Sequence, residues 1–236
     1  MTPLHRALIT VIEGALLVAA VGLIVRKRWM FNMFFAAYIA FAVVTIPMFV
    51  LWPSHFYRRW FFLERQTGLD VLKLAVALEV AWRTFRLFPA ARSAALLTGL
   101  AILATTAMAT STLPIGAAAS EWEVVVGQFF PRVKAGTIWL MAMTPILARW
   151  YRVPVQPFHG AVLTAFVSYL GFDMVLAWLC NGSFVSHAEI LDTISFAADI
   201  LVWCYWVHKA WQRETPGTIA HVAMLRKLET GFSSCP

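Results

Sequence analysis

Seven long runs of apolar residues divide this sequence, and each is about as long as a membrane-crossing helix. A helix needs about 20 mostly apolar residues to cross the hydrocarbon core of a bilayer. The runs cover residues 6–25, 31–52, 66–87, 93–113, 123–148, 158–180 and 188–208. Because 61% of all residues are hydrophobic and only 13% are charged, a soluble fold would lack the polar surface needed to cover its core. The sequence therefore predicts an all-α, polytopic membrane protein, a bundle of seven transmembrane helices.

The basic residues predict which way these spans run. Lys and Arg gather in the short connections that stay on the cytoplasmic side of a membrane. The first, third and fifth connections and the tail are basic, whereas the fourth and sixth carry no Lys or Arg. These basic residues include Arg26, Lys27, Arg28, Arg86, Arg92, Arg149, Arg152, Lys209 and Arg213. The second connection, with Arg58, Arg59 and Arg65, disagrees with the pattern. Since most of the basic segments agree, the sequence predicts a cell-membrane protein with its N-terminus outside and its C-terminus inside.

The predicted domain organisation is simple. Residues 1–210 form the seven-helix transmembrane domain, and residues 211–236 form a short basic cytoplasmic tail. Thr215, Pro216 and Gly217 interrupt the helical pattern after the last span. The segment beyond them has an imperfect apolar stripe, so it is either a short helix lying on the inner membrane surface or a frayed tail.

The third predicted span is unusual because it carries charged residues at two closely spaced pairs of positions. Asp70 and Lys73 are three residues apart and share one helix face, whereas Glu79 and Arg83 are four apart and share another. Asp70 and Glu79 fall on opposite sides of the helix, since each residue turns the helix by about 100°. We therefore expect two ion pairs, in a helix that other helices surround.

Ionisable residues concentrate in the half of the predicted bundle that faces outward. The candidates for ligand binding or for a proton relay are Glu13, Asp70, Lys73, Glu79, Arg132, Lys134, Asp173, Asp192 and Asp199. Only Glu79 falls clearly in the inner half. Because ionisable groups inside membrane helices are functional candidates, this bias predicts a polar cavity open to the outside. The alternative is a charge-balanced network that only holds the helices together.

The sequence lacks the motifs of several membrane chemistries. Asp199 stands near the middle of the last span, where a retinal protein would need a lysine. The histidines lack metal-binding spacing, so no metal site is predicted. Two pairs at matching predicted depths, His159 with His208 and His55 with His187, are expected to face water at the interfaces rather than to hold haem. We predict no cofactor and no catalytic residue. The net charge of +7 reflects topology, so nucleic acid is not an expected partner.

Part of the first half of the chain carries recognisable strings. These are "FFAAYIAFAVV", "FYRRWFFLE" and "LKLAVALEVAWRTFRLFPAAR". The most specific pattern closes the third span and consists of Glu79, Val80, Arg83, Phe85, Phe88, Pro89 and Arg92. In these strings the chain resembles a group of small, uncharacterised bacterial seven-helix membrane proteins. The resemblance implies a multi-pass protein of the bacterial inner membrane, and it implies no catalytic residue.

Three functions from different classes fit these observations. The first is a receptor-like or sensory protein that binds a small ligand from the outer side through Asp70, Lys73, Asp173 and Asp199. Its basic inner surface would contact a cytoplasmic protein. The second is a proton- or ion-coupled carrier, with Asp199 and Glu79 as relay steps. The third is an accessory subunit bound to a membrane protein partner. We favour the first; an enzyme is least supported.

Overall fold

Long helices make up the part of the chain that the structure describes. The computed structural model describes residues 3–30, 32–56, 58–85, 93, 130–153, 155–180 and 188–212. The helices are α1 (Pro3–Val25), a 3₁₀ helix (Arg28–Met30), α2 (Met33–Leu51), α3 (Pro53–Phe56), α4 (Arg59–Phe85), α5 (Phe130–Trp150), α6 (Pro157–Cys180) and α7 (Ala188–Trp211). These residues contain no strand, so the all-α class is confirmed for the described part of the chain.

Six of the seven predicted spans overlap one of the long helices. In chain order, α1, α2, α4, α5, α6 and α7 match the first, second, third, fifth, sixth and seventh spans. The fourth span beyond residue 93 and the tail beyond residue 212 lie outside the described residues. The apolar runs therefore located the helices that can be compared.

Two helices of the described part are long and apolar enough to cross a membrane. They are Ala7–Val25 of α1, with a mean hydropathy of 2.5, and Pro157–Leu176 of α6, with a mean hydropathy of 1.4. This finding points weakly to a membrane protein. The seven-span bundle and its orientation stay predictions.

Local sequence signals explain where several helices begin. The side chain of Asn32 caps α2, because its Oδ1 atom accepts a hydrogen bond from the Phe35 amide at 3.0 Å. Proline is the first residue of α1, α3 and α6. At that position the missing N–H has no partner to lose, and the fixed φ angle suits a helix.

The described residues form two units. Unit 1 holds the described residues of 1–76 and 165–212, which include α1, α2, α3, α7, the first part of α4 and the second part of α6. Unit 2 holds those of 77–164, with the end of α4, all of α5 and the start of α6. Each unit has its own buried contacts.

In unit 1 the carboxyl-terminal ends of α1 and α7 pack side by side. The indole Nε1 of Trp211 donates a hydrogen bond to the carbonyl of Val18 at 3.0 Å. A Cβ atom at Gly22 would lie only 2.7 Å from the same indole nitrogen. The absence of a side chain at Gly22 therefore allows this close approach. Because the carboxyl-terminal ends of α1 and α7 lie side by side, the two helices run in the same direction.

Arg28 strengthens the same end of unit 1. Its side chain is buried, and its guanidinium donates to the carbonyl of Lys209 at 2.7 Å and to the carbonyl of Gln212. The last carbonyls of a helix have no partner within the helix and carry partial negative charge. Arg28 therefore caps α7 from the connection that follows α1. We call this end of unit 1 the Arg28 end.

Five aromatic side chains form a buried cluster between α2, α6 and α7. The aromatic cluster consists of Phe35, Tyr38, Phe166, Trp203 and Trp206. The Phe166 and Trp206 rings lie 4.7 Å apart between centroids, and Tyr38 stacks on Trp203 with only 9° between the ring planes. These contacts hold the three helices together close to the Arg28 end.

Unit 2 has a smaller apolar core at the connection between α5 and α6. Phe85, Ala148 and Val153 are buried together, and Leu147 and Val155 pack against them. The end of α4 therefore packs where the chain turns from α5 into α6.

Among the described residues, other helices do not fully surround the third span, contrary to the expectation. Val71, Leu78 and Trp82 of α4 are 59%, 49% and 50% exposed. Steps of seven and four residues place these three side chains on one face. Two polar faces on opposite sides of a helix still leave a third face between them. On α4 that third face is apolar and exposed.

Candidate functional site

The predicted ion pair of the third span is formed in unit 1. Lys73 Nζ lies 2.9 Å from Asp70 Oδ1, and both residues are buried. The amide nitrogen of Gln66 donates to both carboxylate oxygens of Asp70, at 3.2 and 3.1 Å. Spacings of three and four residues bring these groups together on one face of α4. The Asp70 carboxylate therefore has partners one turn away on either side.

A second polar contact joins α6 to α7. The hydroxyl of Tyr169 donates a hydrogen bond to the carboxylate of Asp199. The same carboxylate interacts electrostatically with Asp173, Lys73 and Arg65. Because Tyr169 and Asp173 are four residues apart, one face of α6 presents both. Groups from α2, α4 and α6 thus interact with Asp199.

Arg65 is a member of this site that the sequence placed in a connection. α4 begins at Arg59, so Arg65 lies inside the helix rather than before it. Its Nε donates to the hydroxyl of Thr45 on α2 at 3.3 Å, and it interacts electrostatically with Tyr38, Tyr169 and Asp199. The structure therefore places Arg65 inside α4, whereas the sequence analysis assigned it to the second connection.

These contacts define one connected group, which we call the polar cluster. Its members come from α2, α4, α6 and α7 and are Tyr38, Arg65, Asp70, Lys73, Tyr169, Asp173 and Asp199. Lys73, Tyr169 and Asp199 each lie at the middle of their helix. If these helices cross a bilayer, their middles are the positions where water is scarcest.

The aromatic cluster borders the polar cluster on the side of the Arg28 end. Trp203 follows Asp199 by one turn of α7, and Phe166 precedes Tyr169 by one turn of α6. Tyr38 belongs to both groups, since its ring stacks on Trp203 and its hydroxyl end interacts with Asp199. Apolar aromatic side chains therefore bound the polar cluster on the side of the Arg28 end.

The charges of the polar cluster are mixed and do not pair one to one within it. Its members include three carboxylates, Asp70, Asp173 and Asp199, and two cations, Arg65 and Lys73. Asp173 disfavours the charged form of the Asp199 carboxylate, whereas Lys73 and Arg65 favour it. Such a group can recognise a polar or charged small molecule, or it can pass a proton between neighbouring side chains.

Two further candidates of unit 1 have no described contact with the polar cluster. Glu13 is half-buried near the middle of α1, and its Oε2 atom is buried without a hydrogen-bond partner among the described residues. Asp192 lies in the first turns of α7, and its side chain lies outside the described residues. Their predicted roles stay predictions.

The other three candidates belong to unit 2. Glu79 and Arg83 form the second predicted ion pair, with Arg83 Nη2 2.8 Å from Glu79 Oε1. Arg132 and Lys134 are half-buried near the start of α5, and each takes part in a polar, electrostatic or ring contact. The structure therefore places Glu79, Arg132 and Lys134 in a unit separate from the polar cluster.

The histidines differ from one another in exposure. His55 and His208 are exposed, as expected, but His159 is buried, so the expectation that it faces water is wrong. His187 lies outside the described residues. No group of three or more His, Cys, Asp or Glu side chains in the described ranges is arranged to hold a metal ion.

Sequence reasoning missed three members of the polar cluster. Tyr38 and Tyr169 were not among the candidates, and Arg65 was assigned to a connection. A usable signal was present, because Tyr169 precedes Asp173 by four residues, the same spacing by which Gln66 precedes Asp70. A polar side chain one turn from a buried carboxylate is the natural hydrogen-bond donor to examine.

Comparison of the chain with protein-family models, with curated proteins and with solved structures finds no match.

Proposed function

We propose that this chain is a multi-pass membrane protein that binds a small ligand at the polar cluster, as a receptor-like or sensory protein. Its resemblance to small bacterial seven-helix proteins makes the bacterial inner membrane the proposed location. The membrane assignment draws support from exposed apolar side chains along one side of α1. Each of the following is at least 46% exposed: Val11, Leu17, Val18, Val21, Ile24 and Val25. A contiguous apolar surface of this kind is typical of contact with lipid.

The observation that carries the ligand proposal is the polar contact of Asp199 at the middle of α7. Asp199 accepts a hydrogen bond from Tyr169, and it interacts with Asp173, a group of like charge, as well as with the cations Lys73 and Arg65. Structural pairs such as Asp70 with Lys73 lower the cost of burial, whereas two neighbouring carboxylates raise it. Polar groups held at such a cost are candidates for binding or catalysis.

Retention of a small molecule tests this proposal. Native mass spectrometry measures the mass of the unsubstituted protein after purification in mild detergent. We expect this mass to exceed that of the polypeptide by the mass of a bound small molecule. Asp199→Asn is expected to lose that mass, because the substitution removes the carboxylate and keeps the size. Glu64→Gln is the matched control, since Glu64 is an exposed carboxylate on α4 outside the polar cluster.

Either of two results would contradict ligand binding at this site. Equal retention by natural protein and Asp199→Asn, with both folded, would place the molecule elsewhere. Natural protein without any bound mass but with a stoichiometric protein partner would favour the accessory-subunit hypothesis instead.

A proton-coupled carrier is the second candidate, and one contact favours it. The Tyr169 hydroxyl donates a hydrogen bond to Asp199 and interacts electrostatically with Asp173, so it is a candidate for passing a proton between these two carboxylates. Vesicles that contain the protein and a trapped pH dye test this idea. A membrane potential is expected to acidify them with the natural protein and not with Asp199→Asn. Identical traces for the two proteins would count against a carrier.

A further inference from the structure

Two connections, one in each unit, place a basic residue in left-handed backbone conformation. Lys27 has a φ angle of 54° and Arg152 a φ angle of 53°, and no other non-glycine residue in the described ranges has a positive φ. This conformation brings the Cβ atom too close to the carbonyl oxygen, so glycine is usual at such positions. Both positions instead carry a positively charged side chain.

The turn around Arg152 has the geometry in which glycine is most strongly preferred. The amide of Arg152 donates to the carbonyl of Arg149 at 3.2 Å, and the amide of Val153 donates to that of Ala148 at 2.7 Å. These two bonds and the buried contact of Val153 with Ala148 make a Schellman motif at the end of α5. Arg152 occupies its left-handed position, where glycine would form the same bonds with less strain.

The turn around Lys27 repeats part of this arrangement at the end of α1. The amide of Lys27 donates to the carbonyl of Ile24 at 3.0 Å, which is one of the two Schellman bonds. Arg28 turns inward to cap α7, whereas Arg26 and Lys27 are exposed. The strained residue is thus again a basic side chain directed to the surface.

Each turn also exposes a tryptophan and a second basic residue. Trp29 is 43% exposed beside Arg26 and Lys27, and Trp150 is 80% exposed between Arg149 and Arg152. Tryptophan prefers the boundary between hydrocarbon and water, and Lys or Arg there meets lipid phosphates. The sequence predicts that both connections lie on the inner side, where membranes carry anionic lipid.

We propose that the turns around Lys27 and Arg152 bind the head groups of anionic phospholipids. A Lys or Arg contact with a lipid phosphate explains why a charged residue occupies each left-handed position, although glycine there would have less backbone strain. The inference rests on the membrane location proposed above, and it does not depend on ligand binding at the polar cluster. The competing explanation is that each charge only stabilises the end of its own helix.

Lipid retention by the full chain distinguishes these explanations. The purified protein is mixed with dioleoylphosphatidylglycerol or with dioleoylphosphatidylcholine, and bound lipids are counted by native mass spectrometry. The test variants are Lys27→Gly and Arg152→Gly, alone and combined. We expect phosphatidylglycerol binding to weaken roughly five-fold for each charge removed, the equivalent of about 1 kcal/mol per basic residue, with phosphatidylcholine binding unchanged.

Charge-conserving variants serve as matched controls. Lys27→Arg and Arg152→Lys keep the charge and the strain, so they are expected to bind phosphatidylglycerol as the natural protein does. The Tm of each glycine variant in neutral detergent is expected to stay the same or to rise, because strain is relieved.

Three outcomes would overturn the proposal. The first is undiminished phosphatidylglycerol binding by the double glycine variant. The second is a fall in Tm in neutral detergent with lipid binding intact, which would assign both charges to helix ends. The third is full displacement of the lipid by inorganic phosphate, which would assign the turns to a free anion. Asp199→Asn should bind both lipids normally, so failure of the ligand proposal would remain distinguishable.

Discussion

The hydroxyl of Tyr169 donates a hydrogen bond to the carboxylate of Asp199, and this bond joins the middle of α6 to the middle of α7. The aromatic cluster packs the same two helices one turn away, through Phe166 and Trp206. Apolar packing alone tolerates small sliding of one helix along another, whereas a hydrogen bond has a narrow range of geometry. The Tyr169–Asp199 contact therefore adds a directional link to the apolar packing of α6 against α7.

Removing the Tyr169 hydroxyl should destabilise the protein. A hydrogen bond to a charged group contributes about 1.5–3 kcal/mol, so Tyr169→Phe is expected to lower the free energy of unfolding by about 2 kcal/mol. Equilibrium unfolding in mixed micelles measures this change. Tyr205→Phe is the matched control, because Tyr205 is 37% exposed on α7 and its loss should change little. Equal losses for the two variants would argue against the bond.

The buried pair of Asp70 and Lys73 predicts a large coupling energy. Removing one partner leaves a buried charge, so Lys73→Met alone is expected to cost about 3–5 kcal/mol of unfolding free energy. The double variant Asp70→Leu with Lys73→Met removes both charges and should recover most of that loss. A double-mutant cycle of unfolding free energies measures the coupling. Strictly additive losses would show that the two side chains act independently.

Gly22 and Gly14 provide a matched test of the packing between α1 and α7. A Cβ at Gly22 would lie 2.7 Å from Trp211 Nε1, whereas no atom lies within 4 Å of a Cβ at Gly14. Gly22→Ala is expected to lower the free energy of unfolding by about 1–3 kcal/mol through overpacking. Gly14→Ala should leave it unchanged or raise it by about 0.5–1 kcal/mol, since alanine favours a helix. A larger loss of unfolding free energy for Gly14→Ala than for Gly22→Ala would contradict the close packing of α1 against α7.

Arg28 is expected to control the end of α7. Arg28→Gln loses the two charged hydrogen bonds to the carbonyls of Lys209 and Gln212, so the last turn of α7 should open more often. Faster amide hydrogen exchange in α7 and a lower Tm in neutral detergent are the expected results. Arg26→Gln is the control, because Arg26 is exposed at the same connection. Unchanged exchange in Arg28→Gln would contradict the cap.

Most of the helices and the two ion pairs of α4 could be predicted from the sequence. An apolar run of about 20 residues has few alternatives to a helix, because every backbone polar group in it needs an internal partner. The pairs Asp70 with Lys73 and Glu79 with Arg83 follow from the repeat of 3.6 residues per turn. Information within one helix was enough in each case.

The limits of α4 and its exposed face could not be read in this way. The charged segment before the third span looked like a connection, yet α4 includes it, and Arg65 reaches Thr45 on α2. The exposed stripe of Val71, Leu78 and Trp82 was missed because two polar faces were taken to require complete enclosure. Which face of a helix remains exposed depends on its neighbours.

The sequence by itself therefore determined the helices and the contacts between residues one turn apart. Only the tertiary structure decided that Tyr169 meets Asp199, that Arg28 caps α7, and that Glu79 belongs to a different unit from Asp70. The physical reason is that the two kinds of contact differ in how far apart their residues lie along the chain. Helical periodicity specifies which side chains share a face, but contacts between distant helices depend on how the complementary shapes and polar groups of those faces pack.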